Sequence, residues 1–173
     1  MPEARALDYV LGYAVGNDVS HRDWQLKFGG GQWSLGKGFD GWAPFGPGIV
    51  SSRLIADPQK LGIRTRVNGE TVQDSTTGDM IFGIADDCVS ESGDDVDAGG
   101  CDFYGDVSIF LSFLICIFES GLLIILWNRP QGVGMGRKPQ VWLKDGDVVE
   151  VEVDGVGTCT NKVEFSPARD AKL

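Results

Sequence analysis

The feature that most constrains the fold is an alternating segment that runs into the dipeptide Asn68-Gly69. Between residues 61 and 67, Leu, Ile, Thr and Val alternate with Gly, Arg and Arg, which is the period of a strand with one buried face. Asn-Gly is the strongest short-range hairpin signal, because both residues tolerate positive φ. The pattern therefore predicts a β-hairpin, with a returning strand over residues 70–74.

The same period recurs near the carboxyl end of the chain. Val149, Val151 and Val153 alternate with two glutamates between the turn dipeptides Asp-Gly at 145–146 and 154–155. This predicts a half-buried strand, followed by a last strand over 158–163.

The first fifty residues give a weaker pattern. We predict a short helix over 5–8 that runs into a strand over 9–19, and then a long loop over the glycine-dense stretch 29–38 that continues through 39–47. Twenty-five glycines in 173 residues are typical of many tight turns between short strands. The fold class that these elements indicate is α+β and dominated by β-structure.

One segment departs from this pattern. Nine of the 25 acidic residues lie between residues 85 and 127, which contain no Lys or Arg, so the low pI of about 4.4 belongs to this segment. Residues 107–127 carry Glu119 as their only charge and are long enough for a transmembrane helix. Against a membrane span, Glu119 lies past the centre of this stretch and no basic residue flanks its amino-terminal end. A buried strand or helix is a second interpretation, and it is favoured equally with a third, a stretch such as a retained intron that is not an evolved part of the fold. We expect a core over 1–163 with an anomalous insert at 85–128, and a polar tail over 164–173.

Several classes of function are disfavoured by composition. No basic run or basic–aromatic patch indicates nucleic-acid binding. The four cysteines form no CxxC pair, and His21 is the only histidine, which argues against a zinc finger or a Cys–His catalytic pair. The start of the chain lacks a secretory pattern, so we expect an intracellular protein, cytoplasmic or mitochondrial, that does not bind a membrane.

A series of short blocks carries a resemblance to a known family. In order, the blocks are NDVSHRDWQ at 17–25, QW at 32–33, GKGFD at 36–40, APFGP at 43–47, VNGE at 67–70, TGDMIF at 77–82, PQGVG at 130–134, RKP at 137–139 and LKDGDVV at 143–149. They cover most of residues 9–84 and 130–163. Through them the chain resembles the fumarylacetoacetate hydrolase family. The resemblance implies a mixed β-sandwich roll with few short helices.

The resemblance also implies a chemistry and its residues. It implies metal-assisted hydrolysis or decarboxylation, at carbon–carbon bonds, of small β-dicarbonyl acids, in which the departing carbanion is held as an enolate. The ion would be Mg²⁺ before Mn²⁺ or Ca²⁺, because its ligands are hard oxygens. Asp18 matches the family's metal-ligand aspartate. Lys37 matches its active-site lysine, with a catalytic and a substrate-binding role, and Asp40 and Gly41 lie where its backbone approaches the substrate.

Each of these residues also has a plainer interpretation. Outside its motif, Asp18 would be a turn residue and Lys37 a solvated loop lysine. His21 stands where the family commonly has a small residue, which favours a structural or surface role over catalysis. Arg22 and Asp23 are adjacent and opposite in charge, and we expect them to be structural.

The sequence departs from the family's pattern at three points. The resemblance implies a Glu-x-Glu pair further upstream of Asp18 than residue 1, an amino-terminal lid, and a threonine near the substrate where this chain reads LWNRP at 126–130. One carboxylate would hold a divalent ion weakly. We therefore keep open an alternative, in which the chain is a truncated and inactive isoform that folds partly and pairs with an intact subunit. A homodimer is expected from the resemblance alone.

Overall fold

The computed structural model describes residues 3–28, 30–80, 83–85, 112–118, 123–126, 138 and 142–165, and for 112–118 and 123–126 it describes the backbone. Eight strands lie within these ranges: β1 (Val10–Asn17), β2 (Phe45–Ser51), β3 (Gly62–Val67), β4 (Glu70–Thr76), β5 (Ser112–Phe118), β6 (Leu123–Leu126), β7 (Val148–Val153) and β8 (Gly157–Lys162). The helical elements are single turns or little more: Glu3–Tyr9, Trp24–Phe28, Trp33–Gly36, Ser52–Leu54, Pro58–Lys60 and Thr77–Asp79.

The strands form two four-stranded sheets, with the orders β2-β1-β5-β6 and β4-β3-β7-β8. Every strand pairing in the described part of the chain is antiparallel. Strand β1 lies against β7 and β8, so the first sheet packs on the second. The predicted fold class, β-dominated with few short helices, is confirmed, and the antiparallel pairing is more specific than the mixed arrangement that we expected.

The hairpin predicted at Asn68-Gly69 is confirmed. Asn68 and Gly69 have φ values of 52° and 81°, and Val67 pairs with Glu70. Ile63 is fully buried in the core on the inner face of β3. Thr65 is buried on that face too, and its hydroxyl donates a 2.6 Å hydrogen bond to Oε1 of Gln73 on β4. A buried hydroxyl of this kind is tolerated because it is hydrogen-bonded.

The alternation near the carboxyl end is confirmed in the same way. Val149, Val151 and Val153 are buried, and they pack in one core with β1 and β3. Glu152 faces solvent with Arg66 of β3, whose guanidinium lies 2.8 Å away. The core therefore lies between the sheets, where the period of two places its valines.

Strand β1 is buried along nearly its whole length because it pairs with β2 on one side and β5 on the other. Tyr13 and Val15 belong to the core between the sheets, and Ala14 is fully buried as well. The strand ends at Asn17, two residues before the predicted boundary. The polar residues that follow thus begin at the end of a rigid, central strand.

The amino-terminal predictions need two corrections. The stretch 39–47, predicted as loop, contains the start of β2, an edge strand where Pro47 is tolerated because no neighbour needs its N–H. The predicted loop 29–38 contains the helical turn Trp33–Gly36. Both errors arose because glycine and proline density was interpreted as irregular structure, whereas pairing with β1 decides the conformation of β2.

The segment 85–128 is described only in part. Ser112–Phe118 pairs with β1, and Leu123–Leu126 pairs with Ser112–Phe118. These residues do not form the single long helix that the transmembrane interpretation requires, so that interpretation is wrong for them. No helix in the described ranges is long and apolar enough to cross a membrane. Residues 86–111, 119–122, 127–128 and the tail from 166 lie outside the described residues, and the boundaries of the insert and the tail stay predictions.

Candidate active site

The candidate site lies at the carboxyl end of β1. The backbone N–H of Asn17 donates to the carbonyl of Pro44 at 3.0 Å, which holds the loop before β2 against the strand end. Three residues beyond Asp18, the N–H of His21 donates to the carbonyl of Gly36 at 2.8 Å. These two hydrogen bonds bring the segment after β1 and the loop around Lys37 together.

Close packing fixes the position of Gly36, the residue before Lys37. A Cβ at Gly36 would lie 2.7 Å from Cβ of Gln25 and 2.9 Å from the carbonyl oxygen of His21, so only glycine fits there without displacement. The N–H of Lys37 donates to the carbonyl of Ser34 at 3.0 Å and ends the helical turn. The packing of Gly36 and the hydrogen bond to Ser34 thus fix the backbone of Lys37, from which its side chain reaches the site.

The structure joins the two principal predicted residues directly. The ammonium of Lys37 donates to Oδ2 of Asp18 and, at 3.1 Å, to the hydroxyl of Ser20. The side chains of Asp18 and Lys37 are 6% and 18% exposed. This ion pair is therefore largely removed from water. The structure brings the two residues into contact, and their metal-binding and catalytic roles stay predictions.

Two further polar side chains are buried beside this pair. Arg22 is buried and donates to Oε1 of Gln25, which is fully buried on the helical turn Trp24–Phe28. The charge of Arg22 is near enough to influence both Asp18 and Lys37. The cluster thus contains two positive charges and one negative charge when its groups are ionised.

Burial shifts the protonation equilibria of the pair. Desolvation raises the pKa of Asp18, against the opposing effects of Lys37 and Arg22, which lower it. Desolvation likewise lowers the pKa of Lys37, assisted by Arg22 and opposed by Asp18. Both groups are therefore closer to neutralisation than their exposed counterparts, which is a property of functional sites more often than of structural ones.

The other predicted substrate residues lie in the same loop. Asp40 and Gly41 are exposed and occupy the centre of a turn in which the N–H of Trp42 donates to the carbonyl of Phe39 at 3.1 Å. Gly41 has a φ of 77°, which explains glycine there without reference to a substrate. Their substrate-binding role stays a prediction.

A divalent ion needs more ligands than the described residues provide. Asp18 offers the hard oxygen that Mg²⁺, Mn²⁺ or Ca²⁺ prefers, and such an ion takes about six oxygen ligands. Within the described residues no group of three Asp, Glu, His or Cys side chains could hold a metal ion. The described residues thus fit one ligand position, that of Asp18, and do not by themselves fit a whole metal site.

Sequence reasoning did not place Ser20 and Gln25 beside this pair, where they accept hydrogen bonds from Lys37 and Arg22. We expected Arg22 and Asp23 to be structural. Arg22 donates to Gln25 and Asp23 pairs at 2.7 Å with the exposed Lys27, and neither contact contradicts that expectation. A signal was present in the i, i+3 spacing of Arg22 and Gln25, which places both on one face of a helical turn. Polar side chains at i, i+3 after a predicted site aspartate are therefore candidates for the same site.

The described part of the chain is a β-domain of two antiparallel sheets, with a buried Asp–Lys–Arg cluster at the end of a central strand. The sequence family described as fumarylacetoacetate (FAA) hydrolase, C-terminal, matches residues 1–92 and 124–164. The chain belongs to the fumarylacetoacetate hydrolase family, whose enzymes generally depend on a divalent metal ion. Residues 93–123 lie between the two matched parts.

Curated relatives cover nearly all of this chain. It is 41% identical over 161 residues to oxaloacetate tautomerase fahd2, mitochondrial, of Xenopus laevis, covering 93% of this chain and 44% of the relative. It is 40% identical over 171 residues to the fumarylacetoacetate hydrolase domain-containing protein 2 homolog of Dictyostelium discoideum, covering 94% and 49%. The chain thus spans less than half the length of these relatives.

Solved structures share the fold. A fumarylacetoacetate hydrolase from Exiguobacterium antarcticum superposes with a TM-score of 0.76 at 34% identity, covering 96% of this chain and 51% of that one. A 5-carboxymethyl-2-hydroxymuconate delta-isomerase from Mycobacterium smegmatis gives a TM-score of 0.70 at 33% identity, covering 96% and 53%. Hydrolase and isomerase names thus both occur on this fold.

Proposed function

We propose that this chain contributes the Asp18–Lys37 cluster to an enzyme that enolises small dicarbonyl acids, with the keto–enol tautomerisation of a 2-oxo dicarboxylic acid such as oxaloacetate as its reaction. The observation that carries the proposal is the largely buried ammonium of Lys37, held between Asp18 and Ser20 with Arg22 nearby. Relatives named oxaloacetate tautomerase support this reaction. Their mitochondrial location favours the mitochondrion of the two compartments that we expected.

The charges of the cluster suit an anionic substrate. Lys37 and Arg22 together outweigh Asp18, so the site attracts a carboxylate and stabilises negative charge that develops on an enolate oxygen. Because the cluster is largely buried, this stabilisation is stronger than it would be at the surface.

The proton on Lys37 has a second role in this proposal. Tautomerisation breaks a C–H bond and forms an O–H bond, so a base must take the proton from carbon while an acid donates one to oxygen. We assign the acid to Lys37 and the base to a solvent water, and the Lys37 amine then regains its proton from the solvent. The lowered pKa of Lys37 makes its ammonium a better acid than an exposed lysine, and contact with Asp18 holds it in place. A divalent ion bound through Asp18, Mg²⁺ before Mn²⁺ or Ca²⁺, would polarise the substrate's oxygens.

The second candidate reaction is the one implied by sequence, hydrolytic cleavage of a carbon–carbon bond in a β-dicarbonyl acid. The positive cluster favours it equally, because cleavage also releases an enolate that Lys37 and Arg22 would stabilise. The solved hydrolase of the same fold supports it. Product analysis separates the two, since hydrolysis yields two smaller acids and tautomerisation yields none.

The test compares Lys37→Met with Lys27→Met in the purified chain supplied with Mg²⁺ and oxaloacetate. Lys27 is a matched control because it also pairs with an aspartate, but its side chain is 69% exposed. We expect Lys37→Met to lower kcat by about 10²- to 10³-fold, the usual cost of removing one group that stabilises an oxyanion. Lys27→Met should leave kcat unchanged. Absence of turnover in the unmodified chain would contradict the proposal and favour the non-catalytic alternative.

A further inference from the structure

His21 contacts the loop that carries Lys37 on both sides of that lysine. On one side its backbone N–H donates to the carbonyl of Gly36 at 2.8 Å. On the other side its imidazole lies 5.9 Å from the ring of Phe39 and 6.4 Å from the ring of Trp42, centroid to centroid. Lys37 thus lies between two attachments to one residue.

The three rings form a compact group, which we name the aromatic clasp: His21, Phe39 and Trp42. The imidazole is nearly parallel to the Trp42 ring, with an interplanar angle of 15°, and the rings of Phe39 and Trp42 are 4.7 Å apart. Such ring pairs stabilise a structure beyond the area that they bury. Phe39 is 39% exposed and His21 is exposed, so the clasp stabilises the loop through ring contacts and not through burial in the core.

The loop offers few other attachments between Lys37 and Trp42. Lys37 and Gly38 donate their N–H groups to Ser34, which lies within the preceding helical turn, and Trp42 donates to Phe39 within the loop itself. These hydrogen bonds shape the loop but do not join it to the segment after β1. Among the described contacts of this stretch, the clasp and the Lys37 side chain make that connection.

We infer that His21 is a positioning residue, whose ring holds the loop 36–42 so that the Lys37 ammonium stays beside Asp18. The effect of His21 on catalysis rests on the proposed function, whereas its effect on the loop does not. Because Lys37 acts on the developing enolate, loss of the clasp affects kcat more than KM.

Hydrogen exchange of the whole chain tests the effect of His21 on the loop 36–42 without any substrate. In His21→Ala, the amides of residues 36–42 should exchange about three- to tenfold faster, because losing one aromatic contact shifts the local opening equilibrium by about that factor. His21→Phe retains a flat ring and should exchange within about twofold of the unmodified chain. Trp24→Ala is the matched control, because Trp24 also makes an exposed ring pair, with Phe28 at 5.7 Å.

The outcomes decide the inference separately from the proposed function. The inference is supported if exchange is faster in His21→Ala, close to that of the unmodified chain in His21→Phe, and unaffected in Trp24→Ala. Unchanged exchange in His21→Ala, or equally fast exchange in His21→Phe, overturns it. With oxaloacetate, kcat should fall by the same factor in His21→Ala while KM stays within about twofold. A chain without any turnover would refute the proposed function and leave the exchange result to decide the role of His21.

Discussion

Two Asp–Lys pairs in this molecule have the same chemistry and opposite electrostatics. Asp57 and Lys60 lie 2.7 Å apart at the surface, with side chains 41% and 81% exposed. Their hydrogen bond is the main reason that the pKa of Asp57 is lowered and that of Lys60 is raised. In the Asp18–Lys37 pair burial reverses both directions, raising the pKa of Asp18 and lowering that of Lys37.

The difference shows what each pair is suited for. The carboxylate of Asp57 also accepts the N–H of Gln59 at 3.0 Å and so begins the turn Pro58–Lys60, a structural task that requires a stable charge. Desolvation opposes both charges of the buried pair, so it brings the pKa of Asp18 and the pKa of Lys37 closer together. Environment, more than the identity of the partners, therefore distinguishes a candidate active site from a surface ion pair.

The largest effect that would sharpen this comparison is on stability. We expect Asp18→Leu to lower the free energy of unfolding by about 3 kcal/mol, because it removes the acceptor of the Lys37 ammonium and leaves that donor buried without it. Lys60→Met should leave the urea midpoint unchanged, because its pair is exposed. Equilibrium urea unfolding measures both variants.

The double variant Asp18→Leu/Lys37→Met separates the cost of burial from the contribution of the pair. Replacing both partners of a buried pair by apolar residues is often neutral or stabilising, so we expect recovery to within about 1 kcal/mol of the unmodified chain. A double variant less stable than Asp18→Leu alone would mean that the buried pair stabilises the fold, contrary to the comparison.

A smaller effect is expected from the backbone that carries Lys37. Gly36→Ala should lower the free energy of unfolding by about 2 kcal/mol, because its Cβ would collide with Gln25 and His21. Gly38→Ala is the matched control, since a Cβ there would meet only the Ser34 carbonyl oxygen at 3.5 Å, an ordinary contact. Thermal unfolding of the two variants makes the measurement, and equal losses would refute this account of the loop.

The smallest effect is a pH dependence of opposite sign for the two aspartates. The folded state binds the Asp18 proton more tightly than the unfolded state, so the contribution of Asp18 to the free energy of unfolding falls as pH rises from about 3.9 through its raised pKa. For Asp57, whose pKa is lowered, the contribution rises with pH below about 3.9.

The measurement is urea unfolding against pH for the unmodified chain, Asp18→Asn and Asp57→Asn, with a chelator present throughout. The difference between Asp18→Asn and the unmodified chain should change by less than about 1.4 kcal/mol per pH unit, the limit for one proton, and the difference for Asp57→Asn should change in the opposite direction. Slopes of the same sign for both aspartates would contradict the reversed pKa directions.

Much of the fold could be predicted because it is encoded locally. Asn68-Gly69 specifies a turn with positive φ, and the valines of β7 specify a buried face by their period alone. Strand β2 could not be predicted, since Phe45–Ser51 has a composition typical of loops and becomes a strand only through its partner β1.

The site divides in the same way. Asp18 and Lys37 were found through motifs, and the structure brings them into contact. The burial of Arg22 beside them depends on a helical turn that packs under Gly36, a tertiary contact that no local pattern reveals. The reversed pKa directions follow from that packing and were for the same reason beyond prediction.

The most direct test of the comparison is to titrate both lysines by nuclear magnetic resonance of their side-chain amines. Lys37→Met and Lys60→Met assign the two signals in the full chain. We predict that Lys37 loses its proton at a pH below the ordinary lysine pKa of about 10.4 and Lys60 at a pH above it. A Lys37 that titrates at or above Lys60 would contradict the claim that burial prepares this pair for chemistry.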